Sequence, residues 1–206
     1  MSDTVKVARA KATGVVKIKN EPMGDAAAKN IHKLLVPESV SSITEYGSQY
    51  GLRTSVIEFT KDDLSITSDG SDGGWGTLKL ATFPKGRIWV HGATGTLSNV
   101  DVSDATNISD TGSGDYSFGT GGTSNTTLDG TAVDLGPSAA LIDPFVEGVG
   151  SADSSSVLSS SDLFDGTGTA ETINLNIAFD EGDATDDDDI AVTGKLIVQW
   201  SYLADY

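Results

Sequence analysis

The stretch Thr172-Ile173-Asn174-Leu175-Asn176-Ile177-Ala178-Phe179 alternates polar and apolar side chains from Thr172 through Ile177. A period of two is the signature of a strand with one face against a core, since successive side chains on a pleated backbone point to opposite sides. Ile173, Leu175, Ile177 and Phe179 therefore share the inner face, and Thr172, Asn174 and Asn176 the outer one. The same alternation recurs at Ile190 to Trp200, where Val192, Leu196, Val198 and Trp200 share a face. The acidic run Glu181 to Asp189 between the two predicts a long-looped hairpin.

Working back along the chain, Val56-Ile57-Glu58-Phe59 and Leu64-Ser65-Ile66 read as short strands bounded by polar turn residues. Ser68 to Gly74 is a glycine and aspartate turn cluster leading into a strand over Trp75 to Thr82. Phe83-Pro84-Lys85-Gly86 then predicts a reversal into Arg87 to Gly92, a tight hairpin. Between 93 and 170 the chain is rich in Gly, Ser, Thr and Asp. Weaker strands are expected at Thr94 to Val102, Tyr116 to Gly119 and Thr126 to Leu135, with long and mobile loops, above all over 103–125. Seven or more short strands without helical periodicity or a long repeat predict an all-β fold, an antiparallel β-sandwich or jelly roll with long polar loops.

Charge divides the chain. Up to Lys33 there are seven basic residues against three acids, a net of +4, which leaves −21 of the total of −17 for the rest. Residues 1–35 read as a basic N-terminal arm or, alternatively, as an edge strand with lysines on its solvent face, and 36–206 as an acidic β-domain. A short helix is expected over Asp25 to Leu35. The acidic body repels phosphate backbones and anionic lipid, so neither nucleic acid nor a membrane is expected as partner. No apolar run of about 18 residues and no secretory signal pattern is present. The sequence has no cysteine, which excludes disulfides, thiolate metal sites and thiol nucleophiles.

Few groups suggest chemistry. A Ser-His-Asp triad would have to use His32, which lies in the arm, or His91, which alternates onto the face of Trp89 as an exposed strand residue. The many acids make any pair of carboxylates at glycosidase spacing uninformative, and Trp75, Trp89 and Trp200 read as strand packing. Gly112-Ser113-Gly114 and Gly119-Thr120-Gly121-Gly122 lack the lysine of a phosphate loop. Asp69 to Asp72 and Asp183 to Asp189 offer oxygen ligands to calcium but not the spacing of the EF-hand loop, and read as solvated acidic loops. No enzymatic activity, cofactor or metal is expected.

The segments Leu64 to Gly70, Gly76 to Gly86 and Ile88 to Gly92, with Phe164 to Ala170, Asn174-Leu175-Asn176 and the closing Trp200 to Tyr206, resemble uncharacterised virion structural proteins of tailed phages. The resemblance covers most of the chain after about residue 50 and rests on packing and turn motifs. It implies a many-copy particle protein at the capsid surface, of the decoration or cement type. Such proteins often act as homotrimers bound to the major capsid protein, where multivalency strengthens weak contacts. The capsid contacts expected on this reading are Lys6, Arg9, Lys11, Lys17 and Lys19 of the arm. Two alternatives remain open. One is a tail or head-fibre adhesin that binds host glycans through the 105–160 region with Tyr116 and Phe118 exposed, and the other is a calcium-stabilised extracellular binding module.

Overall fold

The computed structural model describes residues 15–18, 34–35, 37, 40–47, 51–109, 112–136, 138–141, 152–156 and 163–204. They form eleven strands: β1 (Val15–Ile18), β2 (Val40–Gly47), β3 (Arg53–Ser68), β4 (Gly74–Thr82), β5 (Arg87–Asp101), β6 (Gly114–Gly119), β7 (Ala139–Ala140), β8 (Ala152–Ser156), β9 (Leu163–Asp165), β10 (Thr172–Phe179) and β11 (Asp188–Ala204). The fold is all-β, and among the described residues the only helical turns are two of 3-10 type, Gly70–Asp72 and Gly130–Ala132.

The strands make one continuous sheet that runs β7-β6-β10-β4-β3-β11-β5-β8, with β2 and then β1 beside β3, and β9 beside β5. Every pairing is antiparallel except β1 with β2. The sheet curls because β3 is shared. Its Arg53 to Phe59 portion lies between β2 and β11 and β11 continues alone to Ile66, whereas Thr67 and Ser68 pair with Trp75 and Gly74 of β4. The turn cluster read at Ser68 to Gly74 makes this corner, with Gly70 and Gly73 at positive φ where a side chain would be strained. The two halves then face each other across the core. Phe59 of β3 meets Phe118 of β6 edge to face at 6.4 Å, and Phe83 meets Trp200 of β11 at 5.4 Å. Gly95 of β5 lies against the Phe118 ring where a methyl group would overlap it.

Several expectations are corrected. Phe83-Pro84-Lys85-Gly86 does not close a hairpin, because β4 pairs with β10 and β3, and β5 pairs with β11, β8 and β9. The four residues carry the chain between the halves: Phe83 is fully buried, its N–H donates to the Glu171 carbonyl, and Gly86 exchanges backbone hydrogen bonds with Gly166. The aromatic ring gains more by filling the core than a turn would gain by exposing it. For the same reason β10 and β11 are not partners. They lie in opposite halves, β10 between β4 and β6 and β11 between β3 and β5, and the acidic run spans the gap.

Val56 to Phe59 and Leu64 to Ile66 join in the single strand β3, and Thr94 to Asp101 continues β5. Thr126 to Leu135 is no strand but a loop with one 3-10 turn, Gly130–Ala132. That loop covers the outer face of β10, so Asn174 and Asn176 are buried and the strand is enclosed on both sides.

Of the N-terminal region, Val15–Ile18 forms β1, parallel to β2 and the outermost strand there among the described residues, with Lys17 opposite Thr44. Lys6, Arg9, Lys11 and Lys19 lie outside the described residues, as do His32 and residues 25–33 of the expected helix. Leu34 is buried in the core, and Leu35 exchanges backbone hydrogen bonds with Thr82, a bridge and not a helical turn.

Candidate interaction surface

Alternation sets the outer face of the half built from β2, β3, β11, β5 and β9. Ile88 and Val90 fill the core, so Trp89 and His91 must point out. Register then places side chains of different strands in rows: Thr44, Val56, Ile197 and Thr94 form one, and Ser42, Glu58, Lys195 and Thr96 the next. Trp89 lies between Ser201 of β11 and Leu163 of β9. Its ring stacks on His91 at 4.8 Å and 28°, and His91 Nε2 shares a 2.8 Å hydrogen bond with Ser201 Oγ.

Among the described residues six large apolar side chains are exposed. Trp89, Leu163, Leu203 and Tyr46 belong to this face, and Leu52 directly precedes β3 at its Tyr46 end; Leu35 is elsewhere. Concentration on one face, and not mere exposure, marks a contact surface.

The His91–Ser201 pair resembles part of a nucleophilic triad. Among the described residues no carboxylate hydrogen-bonds to the imidazole, so the pair has no third group there to orient it as a base. The pair sits on an open sheet face beside the indole, where it fixes ring orientation.

The opposite half spends its polar groups internally. Asn176 donates through Nδ2 to the carbonyls of Gly121 and Ala132, both at 3.0 Å, and accepts at Oδ1 from Thr77 Oγ1 at 2.8 Å and the Thr123 amide at 3.0 Å. Asn174 Nδ2 donates to the Thr120 carbonyl at 3.0 Å, Ser117 Oγ donates to the Ala132 carbonyl at 2.6 Å, and Asp134 accepts from the Thr120 amide at 2.6 Å. All four capacities of the Asn176 amide are used, which is what makes a buried asparagine tolerable.

The acidic run is likewise structural. Asp183 accepts from the Ser113 amide at 2.8 Å, Asp187 from the Ser68 amide at 2.8 Å, and Asp188 from the amides of Thr106 and Asn107 at 2.7 and 2.9 Å. The Asn107 amide, seconded by those of Asp189 and Thr106, holds the Asp188 carboxyl below its ordinary range against a smaller opposing effect of burial. Asp101 is lowered likewise by its hydrogen bonds from Ser103. These oxygens meet N–H donors where a calcium ion would need them, and among the described residues no cluster of three acidic or histidine side chains is arranged to hold a metal. The loop over 103–125, expected to be mobile, is tied down by these same bonds along its described residues.

Tyr116 and Phe118, the aromatics expected to be exposed for glycan contact, are buried at 0 and 1 % exposure. Asp115 alone of the β6 side chains is exposed, and Asp115-Tyr116-Ser117-Phe118 alternates as a half-exposed strand would, so the sequence does not betray a strand covered on both sides. The surface residues missed in the sequence are Ser201 and Leu163. They come beside Trp89 only by long-range strand pairing, for which no local signal exists. Comparison of the chain with protein-family models, with curated proteins and with solved structures gives no match.

Proposed function

We propose that this chain is a tailed-phage virion structural protein, a decoration or cement protein that binds the major capsid protein at the capsid surface and stabilises the shell without catalysis. The family resemblance suggests this reading, and one observation supports it most directly: the basic N-terminal region joins the acidic body through β1, which pairs with β2 and with no other strand among the described residues. On this reading the basic segment lies across an adjacent subunit, with Lys6, Arg9, Lys11, Lys17 and Lys19 as the contacts. The body supplies the scaffold, with the carboxylates of Asp134, Asp183, Asp187 and Asp188 and the amides of Asn174 and Asn176 committed to holding loops. Many such attachments on one shell would act together, so each can be individually weak.

Gold-labelled protein on purified particles, viewed by electron microscopy, tests the location: label over the whole head agrees with the proposal, and label on the tail alone or on no particle refutes it. Removal of residues 1–14 is expected to weaken capsid binding and flatten its dependence on salt. Unchanged binding and salt dependence would remove the arm from the mechanism.

A further inference from the structure

We infer that the outer face of β2, β3, β11, β5 and β9 is the seat of a second copy of this chain, packed face to face about a two-fold axis. The axis lies in the interface, along the strands and above the line between β3 and β11.

Charge makes the first argument. Two copies of a chain of net charge −17 repel, so they can meet closely only where charge cancels. Between the Thr193 row and Leu203 the charged side chains described on this face are Glu58, Lys195, Arg87 and Asp165, two of each sign, and the outward Asp63, Asp101 and Asp189 lie beyond that span. Arg87 and Asp165 face each other at 4.0 Å, whereas Lys195 makes no ion pair among the described residues.

Self-complementarity is the second. Glu58 and Lys195 are directly opposed in the β3–β11 register, as are Val56 and Ile197. Rotation about the stated axis lays β3 of one copy over β11 of the other and keeps each row in place. Glu58 then faces Lys195 of the second copy twice over, and the half-buried Val56 and Ile197 close on each other between them. The same rotation lays β2 over β5. Tyr46 pairs with Thr54, Thr54 lies level with Gln199, and Gln199 lies level with Gly92. The exposed Tyr46 ring is thus delivered to Gly92, a notch without a side chain beside the Trp89–His91 stack.

Size is the third. Five strands spaced about 4.8 Å, over about ten residues of β11 from Thr193 to Leu203, span about 700 Å². A stable two-protein interface needs about 800 Å² per partner, so the face is of the right order.

The pairing does not rest on the virion reading and is tested without capsids. Sedimentation equilibrium of the full chain is expected to give twice the 21.3 kDa of one copy. Trp89→Ala and Tyr46→Ala should each weaken association about 30-fold, as loss of an aromatic anchor does. Glu58→Lys and Lys195→Glu should each weaken it about tenfold, and the double exchange should restore it; because the two also oppose each other within one copy, unchanged far-UV circular dichroism of the single variants is the result that assigns the loss to association and not to folding. Leu35→Ser, an exposed apolar site off this face, should leave it unchanged. A monomer at all concentrations, a threefold assembly, or a double exchange no better than either single change would overturn the inference.

Discussion

Replacing Asn176 by Leu keeps the side-chain volume nearly constant and removes four hydrogen bonds in one step. The consequences for the four partners differ. The Ala132 carbonyl keeps its bond from Ser117 Oγ, and the Thr123 amide keeps a 3.1 Å contact with Thr77 Oγ1. Thr77 is exposed and can turn to water. The Gly121 carbonyl loses the bond from Asn176, which is its recorded side-chain donor. One orphaned carbonyl costs about 1–3 kcal/mol, and each of the other lost bonds about 0.5–1.5 kcal/mol, partly offset by the apolar surface that Leu buries. The expected loss is about 3 kcal/mol. Asn174→Leu, which removes donors to the Thr120 carbonyl and Thr172 Oγ1 only, should cost about half as much. Urea unfolding of both variants measures the difference, and amide exchange at Gly121 and Thr123 reports whether the 119–136 loop has lifted. If Asn176→Leu is neutral or stabilising, the loop is held by packing and the reasoning about its polar anchor is wrong.

Three further outcomes are expected. Gly95→Ala drives a methyl group into the Phe118 ring and should destabilise by about 3 kcal/mol or more, with part of the loss recovered in Gly95→Ala/Phe118→Leu; a thermal melt that leaves Gly95→Ala unchanged would show that the two halves are not closed at this point. Asp188 has its carboxyl lowered by the Asn107 amide first, so it stabilises the fold above its unfolded pKa and ceases to as pH falls through the folded one. Asp188→Asn should therefore cost about 1 kcal/mol at neutral pH and nothing in strong acid, and a pH-independent difference in urea midpoints would contradict the assignment. Glu171 has the opposite sign, its carboxyl raised by burial first and then by Asp134 and Asp165. Its favourable term is complete below the unfolded pKa and lost as pH rises through the folded one, so Glu171→Gln should raise the melting temperature at pH 7 and not at pH 3, with the reverse pattern counting against it.

Alternation alone reveals β10, β11 and most of β3, β4 and β5, because a strand with one face against the core writes its period into the chain. It also places Trp89 and His91 on a common outer face, and composition by itself divides a basic N-terminal region from an acidic body. Which strands meet is a different matter. The link Phe83 to Gly86 has the residues of a tight reversal, yet it joins the two halves, since burying Phe83 against Trp200 outweighs the local preference of the turn. Asn174 and Asn176 have the polarity of solvent-facing residues and are buried, since a distant loop supplies carbonyls that satisfy them as water would. The row through Tyr46, Thr54, Gln199 and Gly92 draws on four strands scattered over the chain. Local sequence determined the long strands β3, β4, β5, β10 and β11 and which way their side chains alternate, but not β2, β7, β8 or β9; the pairing of strands, and with it the contact face, was decided only by tertiary packing, because competition among long-range partners for the core leaves no periodicity in the chain.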